Sequence, residues 1–138
     1  MTLGDAKVFL RYMRAAVLCI LVAVALAVEL LVRAPAVPLP GSILYLFYGL
    51  AAADAVVAVV LRRRFAGPAA VILRSHPEDA AAMANWIKGQ FVPLPMALSL
   101  GFIAVAARVL GAAPLRAAPC YLLSLAVIFT AGQDDLPA

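Results

Sequence analysis

The stretch Ala15-Ala16-Val17-Leu18-Cys19-Ile20-Leu21-Val22-Ala23-Val24-Ala25-Leu26-Ala27-Val28-Glu29-Leu30-Leu31-Val32 decides the fold. It carries one charge, Glu29, and it follows three cations, Lys7, Arg11 and Arg14. A helix needs about 20 apolar residues to cross roughly 30 Å of hydrocarbon. In lipid a helix also satisfies its own backbone groups, which an irregular segment cannot do. Outward from this first span, 15–32, three more apolar runs follow at 42–61, 91–110 and 117–131. With their connections they consume nearly the whole 138-residue chain. Hydrophobic residues make up 67% of it and charged ones 13%, which leaves no sequence for a soluble core. The expectation is a single all-α integral membrane domain over 1–138. It would be a four-helix transmembrane bundle with a short cytoplasmic or interfacial helix in the loop 62–90 between spans two and three.

Ala34-Pro35-Ala36 mimics a small-x-small cleavage site after a basic start, so a secretory signal peptide has to be weighed. The apolar segment is long for a signal and carries Glu29 and Arg33 just before the site, so it reads as a true span. The fourth span is the shortest, flanked by Arg116 and by Gln133-Asp134-Asp135.

Orientation follows from the cations. Lys7, Arg11, Arg14, Arg62, Arg63, Arg64, Arg74 and Lys88 fall on one side; Arg33, Arg108 and Arg116 fall on the other. The positive-inside rule puts both termini and the central loop in the cytoplasm, across a bacterial inner membrane. The net charge of +4 does not point to nucleic acid, because the basic residues stand at the ends of apolar runs. The partner they imply is the lipid bilayer. Cys19 and Cys120 fall near opposite leaflets and beyond disulfide range of one another.

Arg62-Arg63-Arg64 reads as the stop of the second span. Beyond it, Ser75-His76-Pro77-Glu78 has the S-x-x-E spacing of a capping box, with proline in the first turn. Met83, Trp86, Ile87 and Gln90 then recur at helical spacing. Trp86 and Lys88 at the edge of a span suit the membrane interface, which predicts an interfacial helix; a docking helix for a cytoplasmic partner is the alternative. Val37-Pro38-Leu39-Pro40 recurs as Val92-Pro93-Leu94-Pro95, each copy setting an extended or kinked start to a span.

Two acids lie in spans, where each costs about 2.5–3.5 kcal/mol on insertion scales. Glu29 lies near the outer surface, and Arg33 at i+4 is its expected ion-pair partner. Asp54 lies well inside the hydrocarbon, with no cation within one turn. Ser99 and Ser124 lie near its depth, so a protonated carboxyl hydrogen-bonded to a neighbouring helix is one expectation. A functional acid that exchanges protons or ions is the other. Gly49, Ala51, Ala52, Ala53, Ala55 and Ala58 surround it, a pattern that favours close helix approach and a homo-oligomer or larger complex.

Enzyme chemistry is not expected. His76 is the single histidine, and His76-Pro77-Glu78 lacks the cysteine pair that a zinc deaminase would need. No nucleophile, phosphate-loop or dinucleotide motif occurs, so neither cofactor nor metal is implied.

From Leu50 onward the chain resembles an uncharacterised four-span bacterial membrane protein family. The matching features are the Ala-rich span with Asp54 and its Arg62-Arg63-Arg64 stop, then Pro77-Glu78-Asp79-Ala80 and Trp86-x-x-Gly89. Arg108-Val109-Leu110-Gly111 and Pro119-Cys120-Tyr121 complete the set. That family is loosely similar to the proteolipid (subunit c) of rotary ATPases through a glutamate in its third span. This chain has Leu98 there. The resemblance implies the four-span topology; the family's glutamate is not carried over to this chain, and an ion carrier would work through Asp54 by its own depth in the second span. Two functions are therefore expected: a structural or accessory subunit of an oligomer or membrane complex, or a small ion- or proton-translocating protein working through Asp54.

Overall fold

A computed structural model describes residues 3–32 and 38–130. The helices are α1 (Leu3–Leu31), α2 (Gly41–Ser75), α3 (Ala80–Phe91), α4 (Pro93–Val109) and α5 (Pro114–Thr130), and no strand occurs among the described residues. Val92, between α3 and α4, has helical angles (φ −52°, ψ −40°), so the two form one rod with Pro93 in the following turn. Three rods are long and apolar enough to cross a membrane: Leu3–Leu31, Gly41–Ser75 and Ala80–Val109. The fourth, α5, has 17 residues and a length of about 25 Å.

Two helices outrun the spans that hydropathy outlines. α1 begins at Leu3, so Lys7, Arg11 and Arg14 are helical, and Asp5 in the first turn complements the helix dipole. α2 does not stop at Arg62-Arg63-Arg64 but runs on to Ser75, through Pro68. Arginine is a good helix former, so a triplet of them ends an apolar run without ending a helix. At 35 residues α2 is about 52 Å long, well beyond hydrocarbon thickness.

The expected capping box at Ser75 is not formed. Ser75 Oγ donates to the Ile72 carbonyl (3.1 Å) and so serves the end of α2. The N-cap of α3 is Asp79, whose Oδ1 accepts from the Ala82 amide at 2.8 Å. Pro77 disfavours helix at His76, while Asp79 stands directly before Ala80-Ala81-Ala82 and caps as well as serine does. At the other end α4 closes in a Schellman motif. Gly111 (φ 110°) donates to the Arg108 carbonyl and Ala112 to that of Ala107.

The rods stack in two storeys. In the apolar storey α4 and α5 form the centre, with α1 and α2 on opposite sides, each touching both and not each other. Its core joins Val17, Ala51, Ala58, Leu94, Ala97, Leu100, Ala104, Cys120 and Val127. Gly101 faces α1, where the tip of the Leu21 side chain occupies the space a Cβ would take. A smaller cluster of Leu39, Leu44, Ala107 and Ala112 seals the α4–α5 turn, where Tyr48 donates to the Arg116 carbonyl (2.6 Å).

The basic storey is built from the start of α1, the end of α2 and all of α3. Ala6, Leu10, Ala66, Ala69, Ala70, Leu73, Ala82 and Trp86 form its core. Trp86 is fully buried there, not an interfacial ring or an exposed docking residue. The extension of α2 past the arginines supplies the alanine-lined wall that receives it. Gly89 brings α3 against that wall: a Cβ on it would lie 2.5 Å from the Ala66 nitrogen.

Candidate intramembrane polar sites

The polar side chains fall at three levels along the rods. At the end of the apolar storey remote from the basic one, Glu29 closes α1 and Arg108 closes α4. Arg108 Nε and Nη2 donate to the two Glu29 carboxylate oxygens at 2.6 and 2.8 Å, a bidentate pair. Arg108 Nη1 donates to the Ala112 carbonyl at 2.5 Å, so the guanidinium also locks the Schellman turn. Arg108 is 4% exposed and the Glu29 side chain 37%. The observed partner of Glu29 is thus Arg108, whereas Arg33 lies outside the described residues. Helical spacing made Arg33 the local choice, but the α1–α4 contact brings in a cation 79 residues away. Glu29, Arg108 and Arg116 also line an open groove of about 580 Å³ with Pro38 and Pro114.

Asp54 stands mid-helix on α2, half-buried, between the buried Ala51 and Ala58. Its Oδ2 is buried and has no hydrogen-bond partner. The two serines proposed for it are elsewhere: Ser124 Oγ donates to the Ala97 carbonyl (2.7 Å), closing α5 on α4, and Ser99 is exposed. A serine in a helix finds a carbonyl more readily than a side chain of matching depth.

The third level joins the storeys. Leu10, Ala66 and Trp86 share the basic-storey core. One turn toward the apolar storey along the same faces stand Arg14, Arg62 and Gln90. The next turn brings Val17, Ala58 and Leu94, which share the apolar core. A polar layer is therefore sandwiched between two apolar ones. Arg14 Nη2 donates to Gln90 Oε1 at 3.3 Å; Gln90 is fully buried and Arg62 is 9% exposed. Gln90 Nε2 and Trp86 Nε1 are buried without a partner.

Of the remaining candidates, Arg63 and Arg64 are exposed. Met83 is half-buried beside an open groove of about 670 Å³ between Leu3, Pro77, Glu78 and Ile87. Lys88 is exposed, its Nζ 4.5 Å over the Phe65 ring. Cys19 is exposed and Cys120 buried, both as free thiols. Arg14, Gln90 and Arg108 were not singled out from the sequence as site residues. The available signal was a polar residue on the buried face of a helix, and only the helix lengths reveal which faces those are. Neither a family model, nor a curated protein, nor a solved structure matches this chain.

Proposed function

We propose that the protein is a small multi-pass inner-membrane protein, a structural or accessory subunit that packs with copies of itself or into a larger membrane complex. It has no catalytic role in this reading, and its termini and basic storey face the cytoplasm. The observation that carries it is the division of labour on α2. Ala51 and Ala58 are consumed inside the bundle, while Gly49, Ala52 and Ala53 stay exposed at small-x-x-x-small spacing. A Cβ added to Gly49 would meet nothing within 4 Å. A Gly49→Leu variant therefore leaves the monomer intact and obstructs only a second helix laid on this face. Cross-linking in native membranes is expected to show the variant's oligomer yield falling about tenfold, equal to about 1.4 kcal/mol of association. An unchanged yield, or a wild-type chain that is monomeric, would sink the reading.

Asp54 supports a second reading, that of an ion- or proton-translocating protein. A carboxylate oxygen buried without a partner within an apolar storey is a group held ready for exchange rather than spent on packing. Carbodiimide treatment of native membranes is then expected to modify Asp54, less so as pH rises. Asp54→Asn should abolish proton flux into vesicles while keeping the oligomer. A folded protein with no modification at any pH removes this reading.

A further inference from the structure

The seam between α1 and α5 carries two adjoining features of opposite character at the end remote from the basic storey. One is the open groove of about 580 Å³ lined by Glu29, Pro38, Arg108, Pro114 and Arg116. The other is a narrow slot of about 100 Å³ between Leu21, Val22 and Ala25 of α1 and Tyr121, Ser124 and Leu125 of α5. Glu29 stands one turn beyond Ala25 along α1, and Arg116 stands about 7.5 Å beyond Tyr121 along α5. The slot therefore leads to the groove from the apolar side. Within it Ser124 is spent on the Ala97 carbonyl, whereas the Tyr121 hydroxyl is buried with no hydrogen-bond partner.

The groove presents both signs of charge. Each Glu29 oxygen accepts one bond from Arg108, which uses two of the roughly four acceptor positions of a carboxylate. The pair fixes the orientation of that carboxylate, and the 37% exposure of the side chain leaves it open to the groove. Arg108 is itself buried and committed to Glu29 and the Ala112 carbonyl. The accessible cation is Arg116, which is exposed and whose carbonyl is tied to α2 by Tyr48. An accessible cation beside an accessible acceptor matches a phosphate joined to an ammonium, and the apolar slot below matches an acyl chain. Tyr45 is exposed at the same end of the bundle, edge-on to Tyr48, as aromatic rings are at headgroup level.

We infer that this seam seats one amine-bearing zwitterionic phospholipid of the phosphatidylethanolamine type. Its chain lies in the slot, its phosphate meets Arg116 and its ammonium donates to Glu29. Tyr121 is the donor nearest the ester carbonyls. A choline headgroup carries the same charges but has no N–H to give, so the Glu29 acceptor discriminates against it. In the proposed topology the lipid belongs to the outer leaflet. The inference rests on the membrane-spanning reading, which carbonate extraction of native membranes tests separately.

The test uses the full chain purified in mild detergent, with native mass spectrometry measuring retention of phosphatidylethanolamine and of phosphatidylcholine. Wild type is expected to retain the ethanolamine lipid about fivefold better. Arg116→Gln should lower retention of both lipids about fivefold, and Ala25→Leu, which fills the slot, should lower both as well. Glu29→Leu/Arg108→Met, which removes the acceptor together with its partner, should abolish the preference. Arg63→Gln, at the other end of the bundle, should change nothing. Circular dichroism checks each fold; if the double variant unfolds, the wild-type comparison and Arg116→Gln still decide. Equal retention of the two lipids by wild type overturns the inference, as does a preference intact in the folded double variant. Retention that Arg116→Gln and Ala25→Leu leave unchanged also overturns it. So does displacement of the lipid by millimolar glycerophosphoethanolamine, because the ligand would then be a soluble zwitterion that owes nothing to the slot.

Discussion

Replacement of Trp86 by alanine is expected to cost about 3–5 kcal/mol, the largest effect of any single change considered for this chain. Trp86 is fully buried and shares one core cluster with Leu10 of α1 and Ala66 and Ala70 of α2, so the three helices of the basic storey meet in that core. In the proposed topology the storey projects past the apolar spans into water, where burial of apolar area is the dominant favourable force. Its walls are largely alanine, whose side chains cannot reach into the space a lost indole would leave. Trp86→Phe should cost far less, about 1 kcal/mol, because most of the ring volume stays and the indole N–H has no partner within the protein. Chemical denaturation followed by circular dichroism measures both. Limited proteolysis at the 76–79 turn adds a local readout, since loss of Trp86 frees α3 from α2. A Trp86→Ala cost below about 1 kcal/mol would mean that the storey is not held by this core.

Glu29→Ala is expected to cost about 3 kcal/mol, at the lower end of the range for breaking a buried ion pair because the Glu29 side chain keeps access to its surroundings. The loss comes less from the missing attraction than from what remains. Arg108 is 4% exposed, and without Glu29 its charge is left with the Ala112 carbonyl alone. Arg108→Met should cost less than Glu29→Ala, since the surviving carboxylate is the more exposed partner. The double variant Glu29→Leu/Arg108→Met is expected to regain most of the loss, to within about 1 kcal/mol of wild type. The full double-mutant cycle, read by steric trapping or detergent unfolding, isolates the coupling between the two helices. Additive single losses would show that the pair is not coupled.

These two residues show what a sequence can and cannot convey. The apolar runs, the basic clusters at their ends and the absence of strand patterning follow from counting residues against a period and a length. They give an all-helical chain with four apolar runs, of which the structure makes three rods long and apolar enough to cross a bilayer, while α5 is shorter. The third apolar run ends at 110, and the structure closes α4 there in the turn at Gly111. Helix ends beyond the hydrocarbon were not legible. Arg62-Arg63-Arg64 stops hydropathy, yet nothing in three arginines stops hydrogen bonding, so α2 ran 14 residues further than the apolar run did. That extension is what turned Trp86 from an interfacial ring into a core residue.

The candidate sites divide in the same way. Asp54 and Glu29 stood out by composition alone, as acids in apolar runs. Their partners did not. Glu29 found Arg108 instead of its neighbour four residues on, and Asp54 met neither serine. The polar layer of Arg14, Arg62 and Gln90 exists only once three helices are set side by side in register. The sequence by itself determined that the chain is helical, where its apolar runs lie and at which end of the rods the charges gather, because those depend on local periodicity and on the linear order of apolar and charged residues. The tertiary structure alone decided which polar groups meet. Separations of 76 and 79 residues, for Arg14–Gln90 and Glu29–Arg108, are bridged by packing and leave no local trace.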